Sequence, residues 1–427
     1  MAHIRPKHNA PNAPTGDPAR AAAGDAIGAL MMTAARAPRQ LDTATLDRLS
    51  AADRAELSRR AKEHRFLPYL DFALATVAGA RRLPAAQAAR HNWTVRYLSI
   101  CRECILIHRI LSQHGIPHLF LKGIPLALAS YPTAALRPVR DIDILVQPGD
   151  LARAFALLKR QGGGIDRYAQ QDHAIDPAQK HCTPIWSPSR VITVELHDKL
   201  AGEAGPLSPQ AEADFTKAVW ADTGTFRVGA QELPCPGPTM MFLHLVIHAL
   251  YDHELNNGPL FVTDLIHLLQ GPELTPGTVA RLSGEFGIAT GVALALSLLP
   301  PDTPQRAALC AAIDLPAALP EETAAALLLQ NTRFTTETKL AATLAQASSR
   351  GRAALVLGRV FARRETMLNR WTMAGRDGAP PANRLLLWLW YLGDRATAMR
   401  RLQAAQPGGG TLHHLLALRR LRDAGRT

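Results

Sequence analysis

Apolar and polar positions follow two different periods along this chain. From about residue 25 to 115 the apolar residues recur at helical spacing, with one long helix predicted over His91–His114. Between 116 and 235 the period changes. Ile116–Lys122 reads as a short buried strand ending in Gly123, and Ile124–Ser130 as one or two helical turns. Asp141-Ile142-Asp143-Ile144-Leu145-Val146 is an apolar, β-rich run. Pro148–Gly162 reads as an amphipathic helix carrying Leu151, Phe155 and Leu158, and Val191–His197 as a further strand. After 236 the helical period returns, with breaks at Pro300-Pro301, Pro316 to Pro320, Pro380-Pro381 and Gly408 to Gly410. The pattern predicts an α+β fold, a small mixed β-sheet flanked by helices, with helical N- and C-terminal regions. The expected divisions are a disordered tail (1–24), a helical region (25–115), a mixed core (116–235), a helical region packing on that core (236–335) and an Arg-rich helical region (336–427).

Composition changes this picture in three places. The net charge of +12 is concentrated at the C-terminus, where residues 351–427 hold 14 arginines and no lysine against 4 acids, a net +10. That segment is either a solvated arginine-rich helical face, the reading we favour, or a surface for an anionic partner. Leu385–Leu392 is too short to span a bilayer and reads as a buried helix core. Five cysteines, an odd and sparse set, fit a reducing compartment, and with no apolar signal segment at the N-terminus they point to the cytoplasm. Cys101 and Cys104 fall inside a predicted helix and read as structural. Nucleic acid is an unfavoured partner, because aromatics make up only 5% of the chain and no RNA-binding module is recognisable.

The chemistry gathers around Asp141 and Asp143. In a strand, residues i and i+2 share a face, so the two carboxylates aim at one spot, where they repel unless a cation sits between them. Hard oxygen donors suit Mg²⁺. The alternative is a solvated strand end with two surface acids. Glu195 and His197 share a face of the later strand, opposite Val194 and Leu196, and Glu195 could lie beside the first two acids as a third carboxylate. Upstream, Lys122 and Gly123 stand between strand and helix, where free N–H groups and a lysine charge suit phosphate. Arg137 and Arg140 precede the acids and either pair with them or meet phosphate. Further on, His244 and His248 lie one turn apart on a helix predicted over Thr239–Leu250. Such a pair can bind zinc, but without the glutamate of His-Glu-x-x-His it does not support peptidase chemistry.

Taken together, Leu121-Lys122-Gly123, Tyr131-Pro132, Arg137, Asp141–Val146, Val194-Glu195-Leu196-His197, His244–His248 and Asp264-Leu265-Ile266 resemble the polymerase-beta-like nucleotidyltransferase superfamily. Within it they look most like the group called simply nucleotidyltransferase family protein, over about residues 90–275. The resemblance implies transfer of a nucleoside monophosphate from an NTP, with ATP the expected donor, to a small-molecule or peptide/protein acceptor with release of pyrophosphate. It implies two Mg²⁺ held by Asp141, Asp143 and Glu195, with Glu195 either a ligand or an aid to acceptor activation. Lys122, Gly123, Arg137 and Arg140 would bind the nucleotide, and His197, His244 and His248 would line an acceptor pocket. Two departures stand out: Lys122-Gly123 replaces the superfamily's usual Gly-Ser or Gly-Gly, and Glu195 replaces a commoner Asp. A catalytically silent protein that binds nucleotide or a regulatory partner is the alternative.

Overall fold

The computed structural model describes residues 18–163, 181–201, 207–314, 317–330, 335–362, 364–373, 380–405 and 410–423. Helices dominate, and one small sheet lies among them. Its strands are β1 (His118–Phe120), β2 (Asp141–Val146), β3 (Ile185–Trp186) and β4 (Thr193–His197), in the spatial order β1-β2-β4-β3. β1 is antiparallel to β2, β2 is parallel to β4, and β3 is antiparallel to β4, so the sheet is mixed as the sequence pattern predicts. A separate hairpin, β5 (Thr223–Val228) with β6 (Gln231–Pro236), packs against β1, where Phe226 meets Phe120 edge-on.

The alternation within β2 and β4 sorts the residues. Ile142, Ile144 and Val146 lie on one face, with Val194 and Leu196 of β4. The other face carries Asp141, Asp143, Thr193, Glu195 and His197. The parallel register sets Asp141 beside Thr193, Asp143 beside Glu195 and Leu145 beside His197. The Leu151–Leu158 helix buries Leu151, Ala154, Phe155, Leu157 and Leu158 and packs on β4.

The long helix runs from Pro84 to Gln113, longer at its N-terminal end than the apolar pattern predicts, because Pro84 sits in the first turn where its missing N–H is harmless. Cys101 and Cys104 are free thiols within it, and burial pushes the Cys104 thiol up, which fits a structural role. One continuous apolar core joins Ile27 near the N-terminus, Phe120, Ile142 and Val194 in the sheet, and Leu415 and Leu418 of the Gly410–Asp423 helix.

Three expectations change. The Pro18–Arg36 helix occupies part of the predicted 1–24 tail, and residues 1–17 lie outside the described ones. Leu385–Leu392 is not a fully buried helix core: Leu387 and Tyr391 are buried, but Leu385, Leu386 and Leu389 are more than half exposed at 59%, 56% and 52%. Nor is the basic C-terminal region purely a solvated face. Arg419 Nε donates to the buried Glu254 at 2.6 Å, and Arg395 pairs with the buried Glu337 at 3.2 Å. Among the described residues, no helix is long and apolar enough to cross a membrane.

Candidate active site

Beside the central strands that carry the acids, the chain leaves edge strand β1 through a kink. The Leu121 N–H still pairs with the Asp143 carbonyl at 2.9 Å, one residue past the end of β1. The chain then turns at Lys122 with φ +47° and ψ −103°, a positive-φ conformation outside the αL well that costs a residue bearing a Cβ about 1–3 kcal/mol. Lys122 is buried, and its Nζ donates to Asp143 Oδ1 at 3.0 Å. His197 Nε2 lies 2.9 Å from the same oxygen.

The charges follow from these contacts. Burial drives the His197 pKa down to about 4, so near neutral pH the imidazole is uncharged and donates its Nε2–H to Asp143. Burial alone would raise Asp143, but the Lys122 ammonium and the His197 hydrogen bond outweigh it and hold the carboxyl well below the usual carboxylate range. Burial likewise works against the Lys122 ammonium, and Asp143 more than compensates, raising its pKa. Among the described residues Asp141 has no such hydrogen-bond partner. Burial and the negative charges of Asp143 and Glu195 push it up to about 7.

A cavity of about 310 Å³ opens on this face. Of the residues singled out by sequence, Asp141, Asp143, Glu195, Lys122, Gly123, Arg137, Arg140 and His248 line it. His197 and His244 do not: His197 lies behind Asp143, and His244 is buried in the Pro238–Val246 helix. Arg65, His181, His253, Asn256 and Asn257 also line the cavity, and no motif in the sequence marks them. Only the Asn257-Gly258 dipeptide, a turn signal, hints that the chain bends there.

Arg137 is engaged within the protein. Its Nε and Nη2 donate to the two oxygens of Asp264 at 2.6 and 2.7 Å, and the Tyr131 hydroxyl donates to Asp264 Oδ1 at 2.6 Å. Gly123 makes this fork possible, because a Cβ there would lie 2.8 Å from Arg137 Nη1 and 2.9 Å from Val139 Cγ1. Arg140 is exposed, and among the described residues its guanidinium has no ion pair.

Asp143, Glu195 and His197 each offer a ligand atom, all within 4.8 Å of one another. Asp141 projects from the same strand face. The crowding that raises Asp141 is what a divalent cation would relieve, and carboxylate oxygens are the donors Mg²⁺ takes. Lys122 and His197 both bind Oδ1 of Asp143, which leaves Oδ2 for a cation. The donor set therefore fits such an ion.

A family model described as an uncharacterised nucleotidyltransferase matches residues 50–300. The matched stretch extends beyond the sheet on both sides and takes in Arg65 and Asp264. No curated protein and no solved structure matches the chain.

Proposed function

This chain belongs to the uncharacterised nucleotidyltransferase family, and we propose that it moves a nucleoside monophosphate from an NTP, with ATP the leading donor, to a small-molecule or peptide/protein acceptor, releasing pyrophosphate. The observation that carries this reading is the register of β2 and β4, which sets Asp143 beside Glu195 and keeps Asp141 on the same face of one cavity. Phosphoryl-type transfer needs charge neutralisation and positioning more than covalent help from the protein. Mg²⁺ held by Asp141, Asp143 and Glu195 would supply that neutralisation and would make an acceptor hydroxyl more acidic. Lys122 and His197 keep Asp143 ionised and fix its orientation. Glu195 either joins the metal or takes the acceptor proton. Arg140, exposed at the rim, is placed for phosphate. His248 lies on the wall formed by the helical region, where an acceptor would enter.

One observation favours the silent alternative: Lys122 already neutralises Asp143. The two readings separate in one assay. Purified protein is given labelled NTPs, Mg²⁺ and fractionated small-molecule and protein acceptor pools, and pyrophosphate is followed. Mg²⁺-dependent release that disappears in Asp143→Asn supports transfer. NTP binding without release from any pool supports the silent binder. Absence of NTP binding sinks both.

A further inference from the structure

We infer that Arg65 is a phosphate-binding residue of this cavity and that its guanidinium takes the triphosphate of the nucleotide. The inference rests on the nucleotidyl-transfer reading and adds to it a residue from the N-terminal helical region.

Arg65 follows the Ala51–Glu63 helix, which opens with a Ser50–Asp53 capping box and ends at His64. Beyond that end the Arg65 N–H bonds the Lys62 carbonyl at 3.0 Å, and the Phe66 N–H bonds the Ala61 carbonyl at 2.6 Å. These two bonds define a Schellman cap, in which the residue at Arg65's position must be left-handed and is usually glycine. Arg65 has φ +59°. A glycine would sit there without strain. Phe66, fully buried, pins the next residue and the start of the Leu67–Ala75 helix. The backbone is therefore held from both sides, and an arginine occupies a place that local stability assigns to glycine. Strain of this kind collects at functional sites.

The side chain explains the exception. It lines the cavity with the acids. Among the described residues, its guanidinium makes no ion pair and no hydrogen bond. Lys122 is matched with Asp143, and Arg137 with Asp264. Arg65 forms no contact pair with the nearby acids: burial and the neighbouring Arg140 and Arg137 outweigh the pull of Asp141 and Asp264 and lower its pKa to about 10, which still leaves it charged near neutral pH. Two guanidinium groups without carboxylate partners, Arg65 and Arg140, thus face the cavity that holds Asp141. Mutually repelling guanidinium groups call for a polyanion, and the fork of an arginine fits phosphate oxygens.

The test uses the full chain with Arg65→Gly and Arg65→Lys. Titration calorimetry is run with inorganic tripolyphosphate, ATP and AMP, and thermal melting is followed in parallel. The expected result is that Arg65→Gly melts no lower than the parent while its affinity for tripolyphosphate and for ATP falls about 10- to 100-fold, the range of one charge-assisted hydrogen bond. AMP should bind as before, and Arg65→Lys should fall in between. Unchanged tripolyphosphate and ATP affinity in Arg65→Gly would overturn the inference and leave the nucleotidyl-transfer reading standing. A clear loss of melting temperature in Arg65→Gly would also overturn it, by assigning Arg65 a structural role. If the parent protein binds neither tripolyphosphate nor ATP, the inference and the nucleotide reading fall together.

Discussion

Replacing Asp141 by asparagine should make the metal-free protein more stable at alkaline pH while removing its response to Mg²⁺. In the folded chain burial, and then the charges of Asp143 and Glu195, outweigh the relief from Lys122 and Arg65, so the pKa of Asp141 rises from the ordinary 3.8 to about 7. A carboxyl whose pKa is raised on folding binds protons more tightly in the folded state, so its contribution to stability falls as pH climbs from the unfolded value through the folded one. At about 1.4 kcal/mol per pKa unit, the shift from 3.8 to about 7 corresponds to roughly 4 kcal/mol once both states are ionised. Asp141 is only partly buried, and water and salt screen part of the repulsion, so about 1–3 kcal/mol is the expected effect.

The assay is urea or thermal unfolding of the parent and Asp141→Asn in EDTA at about pH 5 and about pH 8, bracketing the shifted pKa. At the lower pH folded Asp141 is largely protonated, while the unfolded carboxyl, near its ordinary 3.8, is already ionised, so the variant is ahead by only about a third of the full amount. At the higher pH the variant should be more stable by the full amount, a shift of several degrees for a chain of this size. Addition of Mg²⁺ should then stabilise the parent and not the variant. The reasoning fails if Asp141→Asn is less stable than the parent in EDTA at the higher pH, or if its gain is the same at both pH values.

Three further outcomes follow from the same contacts. Asp143→Asn should abolish pyrophosphate release and also cost about 2–4 kcal/mol in urea unfolding, because it strands the buried Lys122 ammonium; adding Lys122→Met should recover most of the stability and none of the activity. Gly123→Ala should cost about 1–3 kcal/mol, since its Cβ would meet Arg137 Nη1 at 2.8 Å and loosen the Asp264 fork, and the same unfolding measurement checks it. Glu254→Gln should lower stability by about 2–4 kcal/mol, because Glu254 Oε1 lies 2.6 Å from Arg419 and the variant leaves that guanidinium and Lys339 without their acid; undiminished stability in that variant would show that the C-terminal helix is held by its apolar contacts alone.

The strands that carry the acids were legible because their signal is local. Period-two alternation puts Asp141 and Asp143 on one face without reference to the rest of the chain, and the same rule places Glu195 with His197 on theirs. The structure adds the parallel register that sets Asp143 beside Glu195. What the sequence concealed depends on long-range contacts or on exceptions to local rules. Arg137 and Asp264 are 127 residues apart, and nothing in either segment names the other. Lys122 could be read as a cation for phosphate, but only its φ of +47° shows that it turns back onto Asp143. Arg65 breaks the glycine preference of a helix cap, so a reading by propensity passes over it. The second strand of the hairpin hides behind Pro234 and Pro236, which belong at sheet edges and read as breakers. His197 shows the reverse error: the alternation places it correctly on the acid face, but its neighbours make it a support for Asp143 rather than part of the cavity wall.

The two buried ion pairs explain why the cavity has the shape it does. Such pairs contribute little net stability, since desolvation offsets much of their attraction, but they fix geometry. Lys122–Asp143 ties the kink after β1 to the strand that carries the acids. Arg137–Asp264 ties the loop before that strand to the Leu260–Leu269 helix. The second pair thereby sets the distance between the acids and the helical wall that carries His248, Asn256 and Asn257. With Lys122 and Arg137 engaged in these pairs, Arg65 and Arg140 are, among the described residues, the lining guanidinium groups without an ion pair, and under the proposed function they would meet the anion while Asp141 would meet the cation. Among the described residues the polar lining thus separates into a frame matched within the protein and a set of charges without such partners, which the proposed nucleotide and metal would match.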